Sequence, residues 1–255
     1  MKTSAYSSNF FDTIRDGARS SARVVAPIII ELIRPKSVVD VGCGDGTWLS
    51  VFREFGISDA LGLDGNYVNP KQLQISQDQF IPTDLSSAFS VPRTFDLAVS
   101  LEVAEHLPSE SAKAFIDSLT KLAPAILFSA AIPCQGGTQH LNEQWPEYWA
   151  DLFKSHGYLP IDCIRRIIWR NQRVEWFYAQ NALLFVNANQ IQENSELRRE
   201  YENTHVEQLA LVHPKRFLQP QQPGVRGSLR LLAQAGIKAA RKIPRIFSGK
   251  GEGLV

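Results

Sequence analysis

Apolar and polar residues follow one another in blocks that favour a regular succession of strands and helices. Short apolar runs predict buried strands, and segments with apolar residues every three or four positions predict helices between them. The predicted strands are 38–41, 60–64, 79–83, 95–101, 125–132, 161–169 and 182–187. The predicted helices are 10–33, 47–55, 69–75, 109–122, 141–157 and 195–211. Alternating strands and helices predict a mostly parallel sheet with helices on both faces.

The same pattern divides the 255 residues into four segments. Residues 1–36 form a helical segment that is expected to pack on the core. The core domain spans 37–190. Residues 191–224 are polar and end in a linker rich in proline and glutamine, and 225–255 form a basic tail.

A glycine-rich turn follows the first predicted strand, Val38–Val41. Gly42, Gly44 and Gly46 occupy alternate positions and lead into a helix. Strand, glycine turn and helix are typical of a nucleotide-binding βαβ unit. The dinucleotide pattern G-x-G-x-x-G would require glycine at Thr47, so the spacing does not favour a pyrophosphate ligand.

Acidic residues around this turn favour a cationic ligand. Asp40 lies at the end of the strand and Asp45 within the turn. Both would repel a pyrophosphate but would attract the sulfonium and amino groups of S-adenosylmethionine. Asp64 follows Gly42 by 22 residues, near the ~20-residue spacing at which an acid reaches ribose hydroxyls.

Four ordered segments carry a family resemblance: 39–46, 61–64, 80–85 and 95–107. Together they resemble the motifs of the Rossmann-like, class I S-adenosylmethionine-dependent methyltransferases. The resemblance implies an α/β fold, a three-layer αβα sandwich. Its seven-stranded sheet would be mostly parallel, with an antiparallel last strand.

The resemblance also implies which residues bind the cofactor, S-adenosylmethionine. The glycine turn would hold its methionine end, Asp64 its ribose, Asp84 and Leu85 its adenine, and Glu102 would form the pocket floor. The full predicted set is Asp40, Gly42, Cys43, Gly44, Asp45, Gly46, Asp64, Gly65, Asp84, Leu85 and Glu102.

Two histidines are candidate catalytic residues. His140 ends a glycine-containing loop after the fifth strand, and an imidazole there is a candidate general base for a hydroxyl. The alternatives for His140 are a substrate contact without proton transfer, or a structural role. His106, in the fourth motif, either lies near the cofactor methyl group or braces its loop. Its neighbour Glu105 is expected at a helix start or in solvent.

Aromatic and amide side chains are candidates for the acceptor site. The predicted substrate residues are Trp145, Trp176, Tyr178 and Asn181. The last three could form a wall over a sugar or another ring, and the alternative is an ordinary buried antiparallel hairpin. Residues 140–149 resemble a stretch of bacterial methyltransferases associated with surface-glycan pathways.

Composition narrows the function further. Three cysteines without a C-x-x-C spacing predict neither a disulfide framework nor a zinc site. With no signal-peptide pattern, we expect a cytoplasmic protein. There is no Asp/Asn cluster of the kind catechol-type methyltransferases use for magnesium, so we expect no metal.

The net charge of +1 hides an uneven distribution. Residues 226–255 hold seven basic residues and one acid, so the remainder is net negative by 5. A negative core does not favour a nucleic-acid substrate. The basic tail forms a potential amphipathic helix, typical of peripheral contact with the inner face of a membrane. A solubilising or self-docking tail is the alternative.

The sequence therefore predicts a methyltransferase, specifically one that methylates a hydroxyl of a sugar, a glycan or glycolipid precursor, or another small molecule. A nicotinamide-dependent oxidoreductase and a non-catalytic binding module remain the alternatives.

Overall fold

A computed structural model of the chain describes residues 8–218, with side chains from residue 15 onward. The chain divides into two compact units, Met1–Arg216 and Phe217–Val255, and all described strands belong to the first. The strands are β1 (Ser37–Val41), β2 (Asp59–Asp64), β3 (Phe80–Pro82), β4 (Leu97–Leu101), β5 (Ala125–Ser129), β6 (Tyr158–Ile161) and β7 (Leu183–Asn187). The α-helices are α1 (Ser8–Ile33), α2 (Thr47–Glu54), α3 (Ala112–Leu122), α4 (Pro146–Lys154), α5 (Arg165–Ile168), α6 (Trp176–Asn181), α7 (Ala188–Glu193), α8 (Ser195–Glu202) and α9 (Pro214–Leu218).

The seven strands form one sheet in the order β3-β2-β1-β4-β5-β7-β6. The pairs from β3 to β5 are parallel, and β7 runs antiparallel to both β5 and β6. The predicted fold class, with its antiparallel last strand, is confirmed. The strand order reverses at β1, which pairs with β2 on one side and β4 on the other. Open α/β sheets place ligands at such a switch point, outside the carboxyl ends of the strands.

Helices cover both faces of the sheet. On one face α1 buries a small-residue stripe at helical spacing against the core that also holds Trp48 and Phe52 of α2. That stripe consists of Ala18, Ala22, Val25, Ala26 and Ile29. The other face packs on α3 and α4, where Phe153 stacks on Phe185 at 4.0 Å between ring centroids. Helices therefore support the sheet, and with it the carboxyl ends of its strands, from both faces.

The helix predicted over 69–75 is wrong. Only one 3₁₀ turn, Pro70–Gln72, forms there, and the Asn69 side chain accepts a hydrogen bond from the backbone N–H of Lys71. The segment then folds back, and the Gln74 N–H donates to the carbonyl of Asp45 at 2.7 Å. A continuing helix could not make this contact with the glycine turn.

The strand predicted over 161–169 is also wrong. The sixth strand spans Tyr158–Ile161 and the residues beyond it form α5. The buried residues Ile161, Ile164 and Ile168 recur at intervals of three and four, which is helical spacing rather than alternation.

Two predicted helices are shorter than expected. The helix predicted from 141 begins at Pro146, because the N–H groups of Leu141 and Asn142 donate to the carbonyl of Glu105. The helix predicted to 211 ends at Glu202, and a separate 3₁₀ turn follows it. The predicted basic tail, 225–255, lies outside the described residues. Among the helices of 8–218, none is both long and apolar enough to cross a membrane.

A buried arginine of α5 joins this helix to α6 and to the chain after α8. The Arg165 side chain is 1% exposed and donates to both carboxylate oxygens of Asp162, at 2.9 and 2.6 Å. Its Nη1 also donates to the carbonyls of Gln180, at 3.0 Å, and Leu209, at 2.7 Å. A single guanidinium thereby orients the end of α6 and the chain after α8.

We expect Arg165→Met to lower the free energy of unfolding by about 3–5 kcal/mol, since it leaves a carboxylate and two carbonyls without their buried partner. Urea denaturation measures this change. The matched control is Arg166→Met, which removes a half-exposed guanidinium paired with Glu200. The control should cost below about 1 kcal/mol. Equal losses in the two variants would show that Arg165 has no special structural role.

Candidate active site

All three glycines of the turn after β1 have a backbone conformation that favours glycine. Gly42, Gly44 and Gly46 have φ values of 85°, 56° and 80°, in the left-handed region. A Cβ at Gly42 would lie 2.3 Å from Val103, and one at Gly46 would lie 2.9 Å from Ile75. Gly44 differs, because a Cβ there would meet nothing within 4 Å. The turn is therefore packed on two sides and open at its middle residue.

Asp64, the last residue of β2, is hydrogen-bonded to this turn. Its Oδ2 accepts from the Gly44 N–H at 2.6 Å, and its Oδ1 accepts from the N–H of Gly65 and the hydroxyl of Tyr67. Burial raises the pKa of the Asp64 carboxyl, against the lowering effect of these hydrogen bonds. The carboxylate is thus fixed beside the open part of the turn, where a ribose hydroxyl could donate to it.

Three carboxyl groups lie close together under the turn. Burial raises the pKa of Asp40 well above its usual range, and the charges of Asp64 and Asp45 raise it further. Asp45 is bonded to Arg15 of α1 at 2.6 Å and accepts from the Thr47 N–H. Burial also raises the pKa of the Cys43 thiol. A positively charged ligand is favoured here, because it would reduce the repulsion among the carboxylates.

The segment after β3 shows a different environment. Asp84 is exposed, and one of its oxygens accepts from the Ser86 N–H and hydroxyl, which lowers the pKa of the carboxyl. Leu85 is buried in the core with Phe115. The Asp84 carboxylate is therefore bonded within its own loop, and Leu85 belongs to the core.

Glu102 follows β4 with a φ of 55° and joins a network of amides. Its two oxygens accept from Asn181 and from Gln135, each at 3.0 Å. Gln180 donates to the Gln135 side chain at 2.9 Å and accepts from the His213 N–H. Gln135 was not predicted, since a loop glutamine carries no distinguishing sequence signal.

His140 is oriented by a carboxylate that the sequence analysis did not single out. Its Nδ1 lies 2.9 Å from Oε1 of Glu143. The carboxylate of Glu143 in turn accepts from the N–H groups of Cys134 and Gly136, each at 2.8 Å. This arrangement favours the tautomer with a proton on Nδ1 and a lone pair on Nε2. The i, i+3 spacing next to a glycine-containing loop is the signal that could have identified Glu143.

His106 lies beside His140. The two rings meet edge to face with centroids 4.9 Å apart. Burial, and then the neighbouring His140, lower the pKa of His106, so this ring is neutral near pH 7. The structure thus brings together the two histidines that the sequence identified separately.

Of the two positions expected for Glu105, the structure shows the helix start and not the solvent position, since Glu105 lies in the first turn of a 3₁₀ helix. It is 0% exposed, because the 3₁₀ turn Ala104–His106 directs it inward. Burial, and then the charge of Glu102, raise its pKa well above the usual range. Potential metal-ligating atoms of Glu105, His106 and His140 all lie within 4.8 Å of one another.

The predicted acceptor residues do not share one surface. Tyr178 and Asn181 are buried, and the Tyr178 hydroxyl accepts from the indole N–H of Trp48 at 3.4 Å. Trp145 is exposed at the start of α4. Trp176 lines a separate cavity of about 250 Å³, together with Trp169, Arg170, Asn171, Gln172, Val174, Ala179, His213, Pro214 and Lys215. The alternative of an antiparallel hairpin is wrong, since α6 spans this segment.

Solved structures with the same fold are known. DesVI of Streptomyces venezuelae is 14% identical with a TM-score of 0.53, over 71% of this chain and 96% of DesVI. CalS10 of Micromonospora echinaspora, an amino pentose methyltransferase with bound S-adenosylmethionine, is 13% identical with a TM-score of 0.52. That match covers 72% of this chain and 98% of CalS10. At these identities the likeness shows the fold alone.

Sequence comparison gives the family. A search of curated proteins found no match. The family model described as "Methyltransferase domain" matches residues 15–173, which is more than half of the chain and includes the glycine turn, Asp64, Glu102 and both histidines. The chain therefore belongs to the methyltransferase-domain family and is an S-adenosylmethionine-dependent methyltransferase.

Proposed function

We propose that the protein transfers the methyl group of S-adenosylmethionine to a hydroxyl of a sugar-like or other small-molecule acceptor. The observation that carries this proposal is the fixed Glu143–His140 pair, which follows β5 at the carboxyl edge of the sheet. The same edge carries the glycine turn and Asp64. Cofactor and acceptor groups are thereby assigned to neighbouring loops.

In this proposal the nucleoside and the methionine end of the cofactor bind to different loops at the carboxyl edge of the sheet. The ribose hydroxyls donate to Asp64, and the methionine end lies on the turn of Gly42, Gly44 and Gly46. The buried carboxyl of Asp40 favours the positive sulfonium and amino groups. Asp84, Leu85 and Gly65 border the adenine side, and Glu102 forms the floor with its amide partners.

His140 and His106 belong to the acceptor side. Methyl transfer to a hydroxyl requires the acceptor to be positioned and its proton to be removed. The lone pair that Glu143 leaves on Nε2 of His140 suits the imidazole for removing this proton. His106, neutral and in contact with His140, positions that ring.

A sugar-like acceptor is the class that we favour. CalS10, which has the same fold, is an amino pentose methyltransferase, so the fold can accommodate a sugar-type acceptor. The net negative charge outside the tail supports a small molecule rather than a nucleic acid. Trp145, exposed at the start of α4, offers a ring face for such an acceptor.

Asp64→Ala should weaken the binding of S-adenosylhomocysteine by about 1.5–3 kcal/mol, because the ribose hydroxyls lose a charged hydrogen-bond partner. Isothermal titration calorimetry measures this loss. Asp59→Ala, at the other end of β2 and paired with Arg93 on the surface, is the matched control and should bind normally. Undiminished binding by a folded Asp64→Ala protein would contradict the proposed ribose site.

His140→Ala should lower turnover by roughly 10²–10⁴, the usual contribution of general-base catalysis, and leave S-adenosylhomocysteine affinity nearly unchanged. Methyl transfer to a panel of sugar hydroxyls, followed by mass spectrometry, measures turnover. The control is His156→Ala, which removes an exposed histidine near Asp117. If His140→Ala turns over at the wild-type rate at every pH, the general base is another group or none is needed.

The basic tail, which lies outside the described residues, is proposed to bind anionic lipid. Each basic residue near such a surface contributes about 1 kcal/mol, so the full chain should bind anionic vesicles at low salt. Co-sedimentation compares the full chain with one that ends at Gly224. Equal pelleting of the two proteins would contradict a membrane role for the tail.

A further inference from the structure

Three side chains after β4 and β5 form a compact group of potential metal ligands. They are Glu105, His106 and His140, and their ligating atoms lie within 4.8 Å of one another. His106 and Glu105 share one 3₁₀ turn, whereas His140 comes from the loop after β5. The group therefore joins two adjacent loops at the edge that carries the proposed acceptor site.

The buried atoms of this group lack partners within the described part of the chain. Both carboxylate oxygens of Glu105 and the Nδ1 of His106 are buried without a hydrogen bond. A buried polar atom without a partner costs about 1–3 kcal/mol, and more when it is charged. A cation bound by Glu105 and His106, with His140 as a third ligand, would satisfy all three atoms.

His140, the third potential ligand, has the hydrogen bond to a carboxylate that metal-bound histidines usually have. Glu143 accepts from Nδ1 of His140, which leaves Nε2 free to coordinate, and Glu143 is itself fixed by two backbone N–H groups. Metal-ligating histidines almost always donate their other ring N–H to such a carboxylate or carbonyl. The hydrogen bond thus fixes both the tautomer and the ring orientation.

Charge favours the same occupant. Glu105 is 0% exposed, and a carboxylate held away from water is costly unless it is paired with a positive charge. A divalent cation between Glu105 and the two imidazoles would supply that charge.

We propose that Glu105, His106 and His140 bind a divalent first-row transition metal ion. Two imidazoles and one carboxylate suit Mn²⁺, Fe²⁺, Co²⁺ or Zn²⁺ better than Mg²⁺ or Ca²⁺, which prefer all-oxygen sites. Three protein ligands leave coordination positions for the oxygens of an acceptor. With an ion bound, Nε2 of His140 would be a ligand and could not also accept the acceptor proton. The ion would then lower the pKa of a coordinated hydroxyl and replace His140 in activating it.

Calorimetric titration of chelator-treated, full-length protein with MnCl₂ and, separately, ZnCl₂ tests the site. The wild type should bind one ion per chain, and His140→Ala and Glu105→Gln should bind at least tenfold more weakly. His156→Ala is the matched control and should bind as the wild type does. MgCl₂ should bind much more weakly than either ion.

Thermal unfolding provides the second measurement. Added Mn²⁺ or Zn²⁺ should raise the Tm of the wild type and of His156→Ala, but not that of His140→Ala. If Glu105→Gln does not fold, His140→Ala is the variant that tests the site. The His140 side chain is 12% exposed, and its position in a loop makes the substitution easier for the fold to tolerate. The proposal is overturned if neither ion binds saturably, or if binding is unchanged in the folded ligand variants.

The cation site does not depend on methyl transfer. Binding of S-adenosylhomocysteine to the chelator-treated protein reports the cofactor site alone. A protein that binds the cofactor but neither ion would overturn the cation site and leave the proposed function standing. A protein that binds the ion but methylates no hydroxyl acceptor would overturn the proposed function and leave the cation site standing.

Discussion

The close packing of Gly42 against Val103 is the constraint on which the site depends. A Cβ at Gly42 would overlap Val103, so the turn after β1 contacts the loop after β4 directly. This contact spans the point at which the strand order reverses. Because Glu102, Glu105 and His106 flank Val103, the packing brings them to the edge that also carries the glycine turn. The proposed methyltransferase site is built where these two loops meet.

Electrostatics divides that edge into two regions. Around the glycine turn, burial raises the pKa of Asp40 and of Asp64, so a positive sulfonium nearby would stabilise the ionised form of both carboxyl groups. Beyond β4 and β5 the ionisable groups include two imidazoles, one of them fixed by Glu143. The first region favours a cationic cofactor, and the second supplies imidazoles that can accept a proton. In the proposed function, the methyl donor binds in the first region and the acceptor in the second.

Local patterns predicted much of this arrangement, and long-range contacts account for the rest. The apolar runs and the glycine spacing predicted β1, α2 and the position of Asp64 because each depends on neighbouring residues. The strand predicted over 161–169 was wrong although Ile161, Ile164 and Ile168 recur at helical spacing. Contacts of Arg165 with Asp162 and with carbonyls from distant segments then stabilise the helical turn. The burial of Glu105 was not predicted, and Glu143 was overlooked, because packing and pairing in the folded chain give them their roles.

A crystal structure of the full chain with S-adenosylhomocysteine is the most direct test of the proposed cofactor site. We expect both ribose hydroxyls within hydrogen-bonding distance of Asp64. We also expect the amino acid end on the turn of Gly42, Gly44 and Gly46, and the sulfur facing the loops that carry His106 and His140. Density for the ligand in the cavity lined by Trp169, Trp176 and His213, with Asp64 still bonded only to its own chain, would contradict the proposed cofactor site.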